Sequence, residues 1–165
     1  MQRAGLSPVP HLSAARPADW RFWKDFLWRS PSVRLVAVEF ETGNRAPTEG
    51  EKVIDHLAAI QEAIGRPLHL LAIGGAQFTE AIARRLGAFT VIDSNPFMKT
   101  LKRQVFVRGE DCQSWRPQPT ARGQPIDELL AANLTAYSGW IEERAECERM
   151  RAGRRFSLPV HQGRN

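Results

Sequence analysis

The sequence predicts an α/β domain, a parallel sheet with crossover helices. Three observations predict it: apolar runs of strand length at 33–40, 68–73 and 89–92, helix-period stripes between them, and glycine, proline or capping residues where the period switches. Strands alternating with helices pair in parallel through right-handed crossovers, because each helix must cover a sheet face. A chain of 165 residues, 42% of them hydrophobic, suits one domain with its own core. No apolar run approaches the ~20 residues of a membrane span, and the N-terminus has no apolar stretch of the secretory kind. The expectation is a soluble, cytoplasmic protein with no membrane partner.

Residues 1–18, which hold Gly5, Pro8, Pro10 and Pro17, read as an extended arm that adds little to the core. The α/β domain is placed at 19–145 and a basic tail at 146–165. Trp20, Trp23, Phe26, Leu27 and Trp28 recur at helical spacing, with Asp19 as N-cap and Pro31 closing a helix that should bury its aromatics. Val33, Leu35, Val36, Val38 and Phe40 form a strand expected to be covered on both faces. Thr48-Glu-Gly-Glu51 has capping-box spacing and should start a helix, with Val53, Leu57, Ile60 and Ile64 on one stripe. Leu68 to Ile73 reads as a second buried strand ending at Gly74-Gly75, and Phe78, Ile82 and Leu86 mark the next helix. Phe89 to Ile92 is the third strand and runs directly into Asp93. Ser94 or Asn95 can cap a third helix, with Pro96 in its first turn and Phe97, Leu101 and Val105 facing inward. Residues 109–124 read as a turn-rich connection. A last helix begins near Pro125, with Ile126, Leu130, Leu134, Tyr137 and Ile141 on one side.

In open parallel sheets ligands sit beyond the carboxyl ends of the strands, here Glu39 to Arg45, Gly74 to Gln77 and Asp93 to Pro96. A carboxylate fixed at a strand end, as Asp93 is, can serve as nucleophile, base or ribose ligand. Asp93, Ser94 and Asn95 read equally as a helix cap. Gly74 and Gly75 permit a close backbone approach to a ligand, yet a tight strand-to-helix turn needs glycine with no ligand at all. Glu39, Glu41, Asn44 and Arg45 suit hydrogen bonds to a purine edge or its ribose, and also suit a solvated loop. His69 reads as a structural histidine in the core or under a helix. Cys112 and Cys147 form no Cys-x-x-Cys pair and look like reduced thiols. No metal site and no cofactor is expected. A formal charge of +5 and a pI near 9.9 favour phosphate-bearing partners. Lys99, Lys102, Arg103 and Arg108 form a basic edge beside Asp93, with no acidic residue between Ser94 and Gly109.

Arg66-Pro-Leu-His-Leu-Leu-Ala-Ile-Gly-Gly75, continued by Arg85-Leu-Gly-Ala-Phe-Thr-Val-Ile-Asp-Ser94, resembles the tRNA-guanine transglycosylase superfamily, especially its archaeal-type and DNA-deazapurine branches. The resemblance covers roughly residues 66–108. It implies a partial TIM-barrel-like sheet, Asp93 as the nucleophile on the sugar C1′, and Gly74 and Gly75 at the base pocket; Glu39, Asn44 and Ser94 are further substrate-binding candidates by their places at the strand ends, not by the resemblance. It also implies tRNA or DNA as substrate, exchange of guanine for a 7-deazaguanine base, and Lys99, Lys102, Arg103 and Arg108 on the nucleic acid. A (β/α)₈ barrel typically needs about 250 residues. The resemblance therefore implies either a split or shortened member, its barrel completed by a second protein chain, or a remnant that binds without catalysing. Two other readings stay open. Ala72-Ile-Gly-Gly75 with Val91-Ile-Asp-Ser-Asn95 also resembles the first motifs of a Rossmann-type S-adenosylmethionine-dependent methyltransferase, in which Asp93 would hold the ribose. The third is a noncatalytic basic nucleic-acid-binding module.

Overall fold

The computed structural model describes residues 8–42, 44–109, 113–121 and 123–156. Helix α1 (Pro17–Arg29) precedes strand β1 (Leu35–Glu39), helix α2 (Pro47–Ala63), strand β2 (His69–Ile73), a 3-10 turn at Ala76–Phe78, helix α3 (Thr79–Arg85) and strand β3 (Phe89–Ile92). Helix α4 (Asn95–Leu101), strands β4 (Gln104–Arg108) and β5 (Gln113–Pro117), and helix α5 (Asp127–Phe156) follow. The first three strands form a parallel sheet in the order β1-β2-β3. This is the expected α/β class. Both crossovers step the same way across the sheet, which puts α2 and α3 on one face.

That face carries the main core. Val36, Val38, Phe40, Leu70 and Ala72 pack against Val53, Ile54, Leu57 and Ile60 of α2 and Ala81 and Ile82 of α3. The other face is only half covered. Alternation places His69, Leu71 and Ile73 there, half-buried, beside exposed Thr90 and Ile92. The expectation of strands covered on both faces therefore holds only for the centre of β1, where Val36, Ala37 and Val38 are all buried. Among the described residues His69 is half-buried and on the face opposite α2 and α3. Its Nε2 is 2.8 Å from Thr90 Oγ1 on the open face.

Several elements depart from expectation for identifiable reasons. The arm does reach the core: Leu12 is buried, its N–H donates to Ala37 O at 2.8 Å, and Ala37 N–H donates to Pro10 O at 2.9 Å. Asp19 sits inside the first turn of α1, accepting the Arg16 N–H at 2.9 Å and the Ala15 N–H at 3.0 Å. Of the α1 aromatics, Trp20, Trp23 and Phe26 are partly buried, while Trp28 stays 64% exposed. The Thr48 capping box does not form, because Pro47 starts α2 one residue earlier behind Ala46.

The C-terminal region departs furthest. Helix α4 is one short segment that turns at Arg103 (φ 52°), and Val105 belongs to a hairpin in which β4 pairs antiparallel with β5. The inner face of α4 is Pro96 and Thr100, and Phe97 and Leu101 are half exposed at 49% and 50%. Asn133 explains this inversion. Fully buried, it accepts the Phe106 N–H at 2.8 Å and donates to Thr100 Oγ1 at 2.8 Å and Gln104 O at 2.9 Å. A buried amide with these bonds satisfied draws Thr100 inward and locks α4, β4 and α5 together. The inner face of α5 accordingly runs through Asn133, Tyr137, Ala145 and Glu148, while Leu134 faces out. Phe106, Trp115, Tyr137 and Trp140 form an aromatic cluster under the hairpin. Ion pairs Arg144–Glu80 at 2.9 Å and Arg84–Glu148 at 3.5 Å fasten α5 to α3. Helix α5 also covers the first residues assigned to the basic tail, and 157–165 fall outside the described residues.

Candidate functional site

The carboxyl ends of β1, β2 and β3 open into one cleft of about 460 Å³, lined by Phe40, Glu41, Thr42 and Arg45, by Gly74 to Gln77, by Asp93 to Asn95, and by Tyr137. Its backbone floor depends on the glycine pair. Gly74 and Gly75 both adopt left-handed φ, +70° and +74°, where other residues pay roughly 1–2 kcal/mol. Neither position has room for a side chain: a Cβ on Gly74 would come 2.4 Å from Glu41 Cγ, and one on Gly75 would come 2.9 Å from the Phe40 ring. The glycines thus let Glu41 and Phe40 lie over the β2 turn. Gln77 Nε2 donates to Arg45 O at 2.8 Å and ties the β1 loop to the same turn.

Asp93 leaves the end of β3 half-buried at the cleft wall. Its Oδ1 accepts the Asn95 N–H at 2.7 Å, closing the turn into α4, and its Oδ2 accepts the Tyr137 hydroxyl at 2.6 Å. Cap and cleft residue are therefore one. Each carboxylate oxygen retains a lone pair beyond these bonds. Burial, and next the hydrogen bond to Asp93, push the Tyr137 hydroxyl far above the ordinary tyrosine range. Tyr137 thus keeps its proton and acts as a fixed donor that orients the carboxylate. It is anchored from behind by Phe106 and Trp140, with ring centroids 5.3 and 5.6 Å away.

The remaining expected site residues divide. Gly74, Gly75, Asp93 and Ser94 line the cleft. Glu39 and Asn44 do not: Glu39 bonds the Thr42 hydroxyl and N–H, which lowers its pKa, and Asn44 Nδ2 donates to Glu39 O at 2.9 Å. Both shape the β1 loop. The expected basic edge also comes apart. Arg108 is ion-paired with Glu143, and Arg103 turns to donate to Gln124 O at 3.2 Å, leaving Lys102 exposed and Lys99 half-buried. Cys112 lies outside the described residues, and Cys147 is an exposed free thiol. Among the described residues no group of acidic, histidine or cysteine side chains is arranged to hold a metal ion, and no helix is long and apolar enough to cross a membrane.

Sequence reasoning missed the role of Tyr137, which lies 44 residues beyond Asp93. The only signal was its place on the inner stripe of the last helix. Glu41 and Arg45, named with the strand-end polar residues, do line the cleft, whereas Gln77 had nothing in its spacing to distinguish it. No protein-family model, curated protein or solved structure matches this chain.

Proposed function

We propose that the chain carries a transglycosylase-like site for base exchange on tRNA or DNA, with Asp93 as the nucleophile. The observation that carries the reading is the oriented Asp93 carboxylate at a parallel-strand end, facing a cleft whose other wall is the Gly74-Gly75 turn with Glu41 and Phe40 laid over it. In the first step an Asp93 oxygen bonds to the sugar C1′ as the C1′–N9 bond breaks; the electron pair leaves with guanine, which takes a proton from solvent. In the second, N9 of a 7-deazaguanine base gives its proton to solvent and attacks C1′, breaking the Asp93–C1′ bond and returning the carboxylate. Tyr137 holds the attacking group in register and does not itself supply the proton. Arg45, exposed at the rim, is positioned for a phosphate. An unstacked nucleotide suits a cleft of this size. A second protein chain supplying further strands belongs to this reading, since the sheet in hand has three.

The alternative, methyl transfer from S-adenosylmethionine with Asp93 on the ribose, uses the same cleft. The order β1-β2-β3 favours base exchange over it, because the sheet runs on past Gly74 without the reversal that makes a dinucleotide crevice. The test is incorporation of labelled guanine or 7-deazaguanine into tRNA and DNA, with a denaturing gel to trap the covalent adduct. Loss of both signals in Asp93→Asn, with the fold intact by circular dichroism, supports the reading. S-adenosylmethionine binding that needs Asp93, with no incorporation, overturns it.

A further inference from the structure

A groove of about 810 Å³ separates β3 from α5, walled by Phe89 and Val91 on one side and by Ile141 and half-exposed Met150 on the other. The strand side is an open sheet edge. Leu70 N–H donates to Ala88 O and Gly74 N–H to Ile92 O, so the even-numbered residues of β3 face β2. The period of two then turns the N–H and C=O of Phe89 and Val91 away from the sheet. Among the described residues these groups have no backbone partner. The opposite edge shows how this sheet is closed: residues 10–12 run alongside β1 as an extended segment bonded through Ala37. On the helix side of the groove stand Glu142 and Glu146, exposed and four residues apart, with no cation paired to them among the described residues. Arg149 is engaged elsewhere, donating to Gly87 O at 3.3 Å and lying over the Phe89 ring.

An unpaired edge can pair with a backbone in extended form, a partly apolar groove accepts alternate apolar side chains, and an acidic wall attracts a cation. We propose that β3 takes up an extended strand from a partner polypeptide, laid between β3 and α5, with a lysine or arginine against Glu142 and Glu146. This proposal rests on the edge and the groove and stands whether or not the cleft performs base exchange.

The probe is a ten-residue synthetic peptide alternating valine and lysine, added to the full chain and followed by fluorescence anisotropy and amide hydrogen exchange. In the free chain, the Phe89 and Val91 amides exchange fast while Thr90 and Ile92 are protected. Saturating peptide slows Phe89 and Val91 at least tenfold and leaves the other two unchanged. Methylating alternate peptide nitrogens weakens binding at least tenfold. Glu142→Lys with Glu146→Lys does the same, and a valine–glutamate peptide restores binding to that double variant. Binding indifferent to N-methylation and to charge reversal overturns the proposal, as does protection of Phe89 and Val91 in the free chain. Concentration-dependent dimerisation that the peptide does not compete away would assign the edge to a second copy and also overturn it.

Discussion

The two halves of the molecule are held together by different physics. From β1 to β3 the core is continuous and mostly aliphatic, with Phe40 and Phe78 among its buried residues, alternate strand residues meet helix stripes, and the buried Thr79 bonds only locally, to Ala76 O. From α4 to α5 the core is a small aromatic cluster organised around Asn133, whose amide answers a strand N–H, a carbonyl and a hydroxyl at once. Hydrophobic burial is nondirectional and tolerates small shifts, whereas a buried amide fixes one geometry and is costly when unmatched. The cleft lies where the halves meet. Asp93 ends the aliphatic sheet, and Tyr137 comes from the aromatic cluster. The difference teaches that the first half sets where the carboxylate is and the second sets which way it points.

Substitutions should expose that division. Phe106→Ala removes the centre of the aromatic cluster and should cost about 3–5 kcal/mol in urea unfolding. If the halves unfold together, Ile82→Ala on the aliphatic side should cost about 2–5 kcal/mol with the same single transition. Two transitions in either variant would break the comparison by showing that the halves are separate units. Asn133→Leu keeps volume but strands the Phe106 N–H and Gln104 O, and should cost about 1–3 kcal/mol. A neutral result would mean that packing, not the amide, holds α4 in place. Gly75→Ala should cost at least about 1–2 kcal/mol from its left-handed φ alone. Its effect should extend to the cleft, because the added methyl meets the Phe40 ring.

The smallest expected effect is a pH dependence. The Tyr137 hydroxyl titrates higher in the folded state than in the unfolded chain, so its stabilising contribution is complete below about pH 10 and is lost as pH rises further. Tyr137→Phe should remove that alkaline slope and also lower stability near neutrality, because it deletes the hydrogen bond to Asp93. Glu39 behaves in the opposite sense. Its lowered pKa means that its contribution is present above the ordinary glutamate range and fades as pH falls through its folded value. Glu39→Gln should flatten the acid limb of the unfolding curve.

Legibility followed the same boundary. The three parallel strands and the helices between them could be read because burial there is periodic, two residues in a strand and 3.6 in a helix, and the apolar positions show it. The hairpin could not. Gln104 to Arg108 has polar ends, its partner β5 is Gln113 to Pro117, and neither segment carries alternation strong enough to compete with the helix pattern around Phe97 and Leu101. The inversion of α4 was equally hidden, since nothing local says that Thr100 will meet an asparagine 33 residues away.

What the sequence alone determined is the βαβαβ order, the positive-φ turn at Gly74 and Gly75, and an aspartate at the end of the third strand. These follow from local sterics and from hydrophobic periodicity, which act over a few residues. Tertiary structure alone decided that Tyr137 grips that aspartate, that Arg103 and Arg108 turn away from the basic edge, and that, among the described residues, one sheet face and the β3 edge stay open. Those outcomes depend on directional bonds between residues distant in the chain, and their partners are chosen only once the elements have packed.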